Sequence, residues 1–285
     1  MFFTKMQACG NDFVVVESDK IEKNWPELAQ TVCSRHFGIG ADSLLLVLPS
    51  EKGDFLMRTF DSDGSEAEAC GNGIRCLAKY YYEKGYLAKG TGTVIIETVV
   101  GVRNINLVHE NGKLDYVRAS MGKPGLTLPE IPFTPEAGVN LVYIKNMPVY
   151  TVSVAGRTLQ LHLVSMGNPH AVYYTDEPVD EFPLDIIGPM VENLLIFPKR
   201  ANFEVVRRLE GNKIEARVWE RGVGETLACG TGACATTVSA VLRGYVTDSA
   251  EIKLRGGALQ VKWDGAGEVE LSGPAQIVYE GNWPE

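Results

Sequence analysis

Cys70 and Cys229 each stand in the same local frame, E-x-x-A-C-G-x-G, written once as Glu66-Ala67-Glu68-Ala69-Cys70-Gly71-Asn72-Gly73 and again as Glu225-Thr226-Leu227-Ala228-Cys229-Gly230-Thr231-Gly232. An apolar-periodic run follows each frame, so each cysteine falls on the first turn of a predicted helix. Backbone N–H groups are unpaired there, and the helix dipole is positive. Both effects favour thiolate over thiol, so each pKa is expected to fall below its free value of roughly 8.5. The glycines at 71, 73, 230 and 232 remove side chains where an anion would approach the backbone, which makes each helix start an anion site too. Two such thiols facing one carbon could take a proton from one side and deliver a proton to the other. Helix ends aimed at the adjoining carboxylate would stabilise the negative charge that builds there as an enediolate. Such a pair needs one thiolate and one thiol, and it titrates as a coupled system.

The elements that would hold these thiols are also written twice. Gly10-Asn11-Asp12-Phe13-Val14-Val15 is echoed by Gly167-Asn168-Pro169-His170-Ala171-Val172, an offset of 157 residues, and the cysteine frames are offset by 159. Two matches in the same order at nearly one offset read as two similar domains rather than a solenoid. After Gly73, apolar Ile74, Leu77, Ala78, Tyr81 and Tyr82 keep helical spacing, and Gly85 ends the run; after Gly232 come Cys234, Val238, Val241 and Leu242, with Gly244 as the stop. Short β-rich runs surround both: 13–17, 43–48, 55–60, 93–100, 102–109 and 114–120, then 149–154, 157–164, 202–209, 214–219, 251–254, 258–263 and 269–272. Asn111-Gly112 and Ala155-Gly156 are the hairpin signals. Each half is thus a β-rich domain whose sheet can wrap one long helix. The expected division is 1–119 plus 275–285 for the half carrying Cys70, and 120–274 for the half carrying Cys229, with the tail after Pro274 returning to the first half as a strand.

Composition bounds the partners. The 285 residues are 45% hydrophobic and carry a net charge of −9, which argues against a duplex or a membrane surface and leaves room for a small anionic substrate. No apolar run approaches a membrane span, and the first ten residues lack a signal-peptide core, so a cytoplasmic protein is expected. Cys9, Cys33, Cys76 and Cys234 read as small buried apolar residues. No C-x-x-C pair is present, and His36, His109, His162 and His170 show no H-x-x-x-H spacing, so no metal site is expected. The residues alone leave four other readings open. These are tight structural turns, a Cys229–His170 hydrolase, a dithiol redox or metal site, and a non-enzymatic module binding small anions.

Across nearly the whole chain the motifs resemble the diaminopimelate epimerase family. They are Gly10-Asn11-Asp12-Phe13, the run from Arg35 to Asp42, the run from Asp63 to Cys76, Gly167-Asn168-Pro169-His170, and the run from Glu220 to Ala233. The resemblance implies an α/β (α+β) fold of two pseudo-symmetric domains, each a β-barrel-like sheet wrapped around a central helix. It implies epimerisation of LL-2,6-diaminopimelate to the meso form without pyridoxal phosphate or any other cofactor, in lysine and cell-wall precursor biosynthesis, by a homodimer. Cys70 and Cys229 carry over as the acid/base pair, and His170 and Glu220 as groups that tune them. Gly71, Asn72, Gly230 and Thr231 match positions that bind the carboxylate at the reacting carbon. Asn11, Asn168, Asn202 and Arg221 match positions that hold the rest of the substrate, beside Glu220 at the reacting amine; a planar guanidinium suits a distal carboxylate. Two positions depart from the family pattern. Ser43 stands where some members carry glutamine, and Asp61 where asparagine is usual. A site that repelled a distal carboxylate would belong to a related cofactor-independent racemase acting on another amino acid.

Overall fold

The computed structural model describes residues 1–19, 24–67, 70–87, 92–110, 113–136 and 141–284. The chain divides into two compact units, Met1–Ser120 with Ser272–Glu285, and Met121–Leu271. The first unit contains β1 (Phe2–Ala8), β2 (Asn11–Glu17), α1 (Trp25–Cys33), β3 (Ser43–Leu48), β4 (Phe55–Asp61), β5 (Glu66–Ala67), α2 (Gly71–Glu83), β6 (Thr93–Thr98), β7 (Gly101–Glu110) and β8 (Lys113–Ser120). The second contains β9 (Val142–Ile144), β10 (Met147–Val154), β11 (Arg157–Ser165), β12 (Pro169–Tyr174), α3 (Leu184–Glu192), β13 (Asn202–Arg208), β14 (Lys213–Glu220), β15 (Gly224–Thr226), α4 (Gly230–Leu242), β16 (Ser249–Leu254) and β17 (Gly257–Lys262). Strand β18 (Glu270–Gly273) follows, and the tail strand β19 (Gln276–Asn282) lies antiparallel to β1.

The duplication is a duplication of pairing. In the first unit β1–β2 is antiparallel, β2–β3 parallel, β3–β4 antiparallel, β4–β6 parallel and β6–β7 antiparallel. In the second, β11–β12, β12–β13, β13–β14, β14–β16 and β16–β17 repeat that series in the same order. A parallel neighbour needs a crossover, usually helical. The long helices α2 and α4 supply one crossover in each unit, and α1 and α3 the other.

In the first unit β3 is buried along its whole length, because both of its faces are covered. Leu45 and Val47 join the core around α2, with Phe13, Leu77, Ile105 and Val117. Leu44, Leu46 and Leu48 join the core beneath α1, with Val14, Trp25 and Val32. The central helices are more enclosed than an amphipathic pattern suggests. Every residue of α4 from Gly232 to Leu242 is buried, and in α2 Tyr80 points inward while Tyr81 and Tyr82 are only half-buried. A helix ringed by strands has no solvent face to mark with polar residues. Both end in the same way: Gly85 donates to the Tyr82 carbonyl and Tyr86 to Tyr81, while Gly244 donates to Val241 and Tyr245 to Ala240.

The strand readings hold within a residue or two. Strand β6 ends at Thr98, where its hydroxyl caps the turn to Gly101, and the pattern missed β1, α1, β5, β9, β12, α3 and β15. Strands β7 and β8 pair antiparallel, while the Asn111-Gly112 turn signal lies outside the described residues. Among the described residues no helix is long and apolar enough to cross a membrane. The β10–β11 hairpin turns on Ala155 and Gly156 at φ 50° and 76°. Ala155 holds a left-handed conformation that costs a residue with a Cβ roughly 1 kcal/mol. Ala155→Gly is therefore expected to raise stability by somewhat under about 1 kcal/mol, part of the gain being lost to the freer unfolded chain. A thermal melt that moves down would contradict that strain.

Candidate functional site

In the first unit Cys70 caps α2. It is extended at φ −128° and ψ 110°, and its Sγ accepts the Gly73 N–H at 3.4 Å. Around it the motif residues form one network. Asn11 opens β2 and turns its Oδ1 toward Cys70 Sγ at 3.7 Å, where it also accepts from Asn72 Nδ2 at 3.1 Å. The Asn11 amide cannot flip, because its Nδ2 donates to Asp42 Oδ2 at 2.7 Å. Asp42 is held in turn by Arg35, and Arg35 also bonds Asp12, which accepts from Lys5. The Asn72 Oδ1 accepts from Arg75, a fully buried arginine one turn into α2.

In the second unit Cys229 caps α4 with nearly the same geometry, φ −126° and ψ 114°, and its Sγ accepts from Gly232 at 3.4 Å. Thr231 Oγ1 lies 3.4 Å from the sulfur and accepts from Asn168 Nδ2 at 3.4 Å. Asn168 Oδ1 accepts from His170 Nε2 at 3.0 Å, and His170 Nδ1 meets Glu204 Oε1 at 2.6 Å. Glu220 is hydrogen-bonded to Thr226 and to Cys229. Asn202 spends its amide on the main chain, donating to Pro169 O at 3.0 Å and accepting from Arg221 N at 2.9 Å. The Arg221 guanidinium rests on the Lys199 carbonyl at 2.9 Å. Asn11 and Asn168 thus each bond the residue following the first glycine of the cysteine frame.

The acidities run against the expectation from the helix ends. Burial pushes the Cys70 thiol above its ordinary value; the Gly73 and Asn72 N–H groups and the Arg75 charge pull it down without prevailing, and Asp61 adds to the rise. Burial pushes Cys229 well up, reinforced by the charges of Glu220 and Glu204 and opposed by Thr231 and the Gly232 N–H. Burial also raises Glu220 against its bonds to Thr226 and Cys229 and the charge of His170. These oriented donors do not offset the loss of solvent around a sulfur. The second glycines of each frame also differ from the expectation. A Cβ at Gly73 would lie 3.0 Å from Leu45 and Met57, and one at Gly232 would lie 2.8 Å from Glu204 Oε1, so both face the interior of their unit.

Two arginines lay unnoticed in the repeat. Arg58 and Arg217 share the 159-residue offset of the cysteines, and so do their partners Glu66 and Glu225. Each pair forms two parallel guanidinium–carboxylate bonds of 2.6 to 2.9 Å that close the turn leading to the cysteine. Asp61 and Glu220 are equivalent too, each the last residue of its strand. The two positions that depart from the family pattern touch each other: the Ser43 hydroxyl donates to Asp61 Oδ1 at 2.8 Å across the β3–β4 ladder. Cys9, Cys33, Cys76 and Cys234 are buried, as read from the sequence. Among the described residues no group of three or more His, Cys, Asp or Glu side chains is placed to hold a metal ion.

The fold belongs to a class shared by racemases and isomerases. A PhzF-family phenazine biosynthesis protein of Bacillus anthracis superimposes with a TM-score of 0.67 at 18% identity over 99% of this chain and 98% of its own. A probable proline racemase of Agrobacterium radiobacter does so with 0.67 at 15% identity over 99% and 92%. Sequence narrows the class. The family model for diaminopimelate epimerase matches residues 3–127 and 162–278, and the diaminopimelate epimerase of Methanococcus maripaludis is 46% identical over 99% of both chains. The chain belongs to the diaminopimelate epimerase family, and it is an isomerase acting on amino acids.

The network around Asn11 carries a pH signature. Burial alone would raise the Asp12 carboxyl, but hydrogen bonds and charge from Arg35 and Lys5 outweigh it and hold it at about 2. A depressed carboxyl stabilises the fold above its unfolded pKa of about 3.9, and that contribution is lost as pH falls through about 2. Asp12→Asn should lower stability near neutrality by on the order of 1 kcal/mol after solvent screening, with the gap to the native protein closing between about pH 4 and pH 2. Denaturant titrations across that range check it; a gap independent of pH would assign the loss to packing.

Proposed function

We propose that the enzyme epimerises LL-2,6-diaminopimelate to meso-diaminopimelate by a two-base reaction in which Cys70 and Cys229 serve opposite faces of one α-carbon. The carrying observation is the repeated environment: a thiol at a helix N-cap, an N–H bond from the residue three positions on, an asparagine amide fixed beside the helix start, and a carboxylate as the last residue of β4 and of β14. In the forward step the Cα–H bond breaks, one cysteine sulfur gains the proton, and the electron pair moves into the carboxylate as an enediolate. The other S–H bond then breaks and a Cα–H bond forms on the opposite face. N–H groups of Gly71, Asn72, Gly230 and Thr231 stabilise the enediolate, since donors fixed before the reaction need no reorganisation. Thr231 and Glu220 take part in the proton balance at Cys229. Asn11, Asn168 and Arg221 hold the rest of the substrate, and Asn202 does so through the Arg221 backbone that it positions.

Asp61 sharpens the substrate question. A carboxylate facing the substrate's distal carboxylate would be repelled, whereas one facing an ammonium would be attracted. Its Oδ1 is occupied by Ser43, which leaves Oδ2 for an ammonium. Two outcomes follow. Cys70→Ala or Cys229→Ala should each abolish net epimerisation while circular dichroism shows a native fold; near-normal turnover by either variant defeats the two-base reading. In a panel of diaminopimelate, lysine, ornithine, histidine and glutamate, diaminopimelate should give the highest kcat/KM, and Asp61→Asn should leave that order unchanged. A monocarboxylic diamine winning by more than about tenfold, about 1.4 kcal/mol of transition-state discrimination, would assign the site to a different racemase.

A further inference from the structure

The duplicated fold contains its own control for one buried pair. The parallel ladders align Phe13 with Ser43 in the first unit and His170 with Asn202 in the second, so Phe13 and His170 are equivalent. Two residues beyond Ser43 and Asn202 stand Leu45 and Glu204, also equivalent. Both residues of each pair are fully buried. Leu45 packs against Gly73 in the first unit, and Glu204 Oε1 occupies the same place against Gly232 in the second. One architecture is therefore built with a Phe–Leu pair on one side of the duplication and a His–Glu pair on the other.

The fold does not require the polar version. Replacing a buried ion pair by well-packed apolar groups is often neutral or stabilising, so burial of His170 and Glu204 is a cost that packing does not repay. Glu204 also carries an oxygen, Oε2, with no hydrogen-bond partner among the described residues. What the pair does hold is a chain of contacts: Glu204 Oε1 to His170 Nδ1, His170 Nε2 to Asn168, Asn168 to Thr231, and Thr231 to the Cys229 sulfur. Nothing equivalent to Glu204 stands behind Cys70, where the corresponding residue is Leu45.

We propose that Glu204 is a positioning residue for Cys229: it fixes the orientation and protonated face of His170, which locks Asn168 and Thr231 against the sulfur. The reading rests on the two-thiol function above. Burial, then the charges of Glu220 and Glu204, push the Cys229 thiol up, so the Glu204 charge also disfavours the thiolate. Glu204→Gln, an isosteric change, removes the charge and replaces the charge-assisted bond to His170 Nδ1 with an amide contact that no longer selects the protonated face of the ring.

The test pairs Glu204→Gln with a double variant that copies the first unit, His170→Phe with Glu204→Leu. Three measurements are made on each full-length protein: the thermal melt, kcat and KM for diaminopimelate, and the rates of iodoacetamide alkylation of Cys70 and Cys229 read by peptide mass spectrometry. Expected are a double variant that melts no lower than the native protein, and a kcat reduced by about a hundredfold in both variants with KM changed far less. In Glu204→Gln, Cys229 alkylation near pH 7 should quicken by about fivefold as the opposing charge disappears, while Cys70 keeps its native rate. A double variant that fails to fold would overturn the argument from the duplication. Native kcat together with a native Cys229 rate in Glu204→Gln would overturn the positioning role. If the native protein exchanges no diaminopimelate proton, the substrate reading fails, and the alkylation rates still decide the role of Glu204.

Discussion

A sulfur that accepts a backbone N–H at the first turn of a helix can occupy only one position, the N-cap, and that position sets the terms for the rest of each unit. The residue must be extended while the next is helical, so a strand and a turn have to deliver the chain at a defined angle. The ion pairs Arg58–Glu66 and Arg217–Glu225 close that turn immediately upstream. The helix that follows has to stay put, and burial in a ring of strands achieves this better than any local contact. Here α2 packs on β1, β3, β6 and β8, and α4 on β11, β12, β13, β16 and β17.

Enclosure has an electrostatic consequence. Removing water from around a thiol disfavours its ionised form more than the N–H groups at Cys70, or the Thr231 hydroxyl and one N–H at Cys229, favour it, so both thiols are pushed up rather than down. Within the proposed reaction this suits a base that must be formed only when needed: an arriving α-ammonium and the enediolate-binding N–H groups alter the local charge at the moment of transfer. The two halves tune this differently. Cys70 has Arg75 and the Asn11–Asp42 network behind it, and Cys229 has Glu220, Glu204 and His170. A duplicated scaffold has thus acquired unequal surroundings for two equivalent sulfurs.

Much of this was legible in the chain. Both cysteine helices, their glycine stops and most strands follow from local pattern, because a strand of alternating or continuous apolar residues carries its own signature. Strand β1, Phe2–Ala8, escaped because its inward-facing Lys5 is buried in an ion pair with Asp12 and breaks the apolar alternation. Helix α3 escaped because Gly188 and Pro189 stand in its middle; Gly188 is required there by the Trp219 ring, which a Cβ would approach to 2.6 Å. The roles of Asn11, Asn72, Asn168 and Thr231 could be placed only by resemblance, and Glu204 not at all. A glutamate inside the apolar run Asn-Phe-Glu-Val-Val reads as the solvent side of a strand until the register shows that side facing α4. The repeat itself held the missing signal, since the offset that relates the cysteines also relates Leu45 to Glu204 and Asp61 to Glu220.

The central claim, that two different sulfurs act on opposite faces, is tested most directly by following the isotope at the earliest turnovers in deuterated water. With LL-diaminopimelate as substrate, the account predicts meso product carrying one deuterium at the inverted carbon while recovered substrate still carries protium. One sulfur returns the proton that it removed, and the other delivers a proton taken from solvent. Deuterium appearing in recovered substrate as early as in product would mean that a single exchanging base serves both faces, and would contradict the two-thiol account.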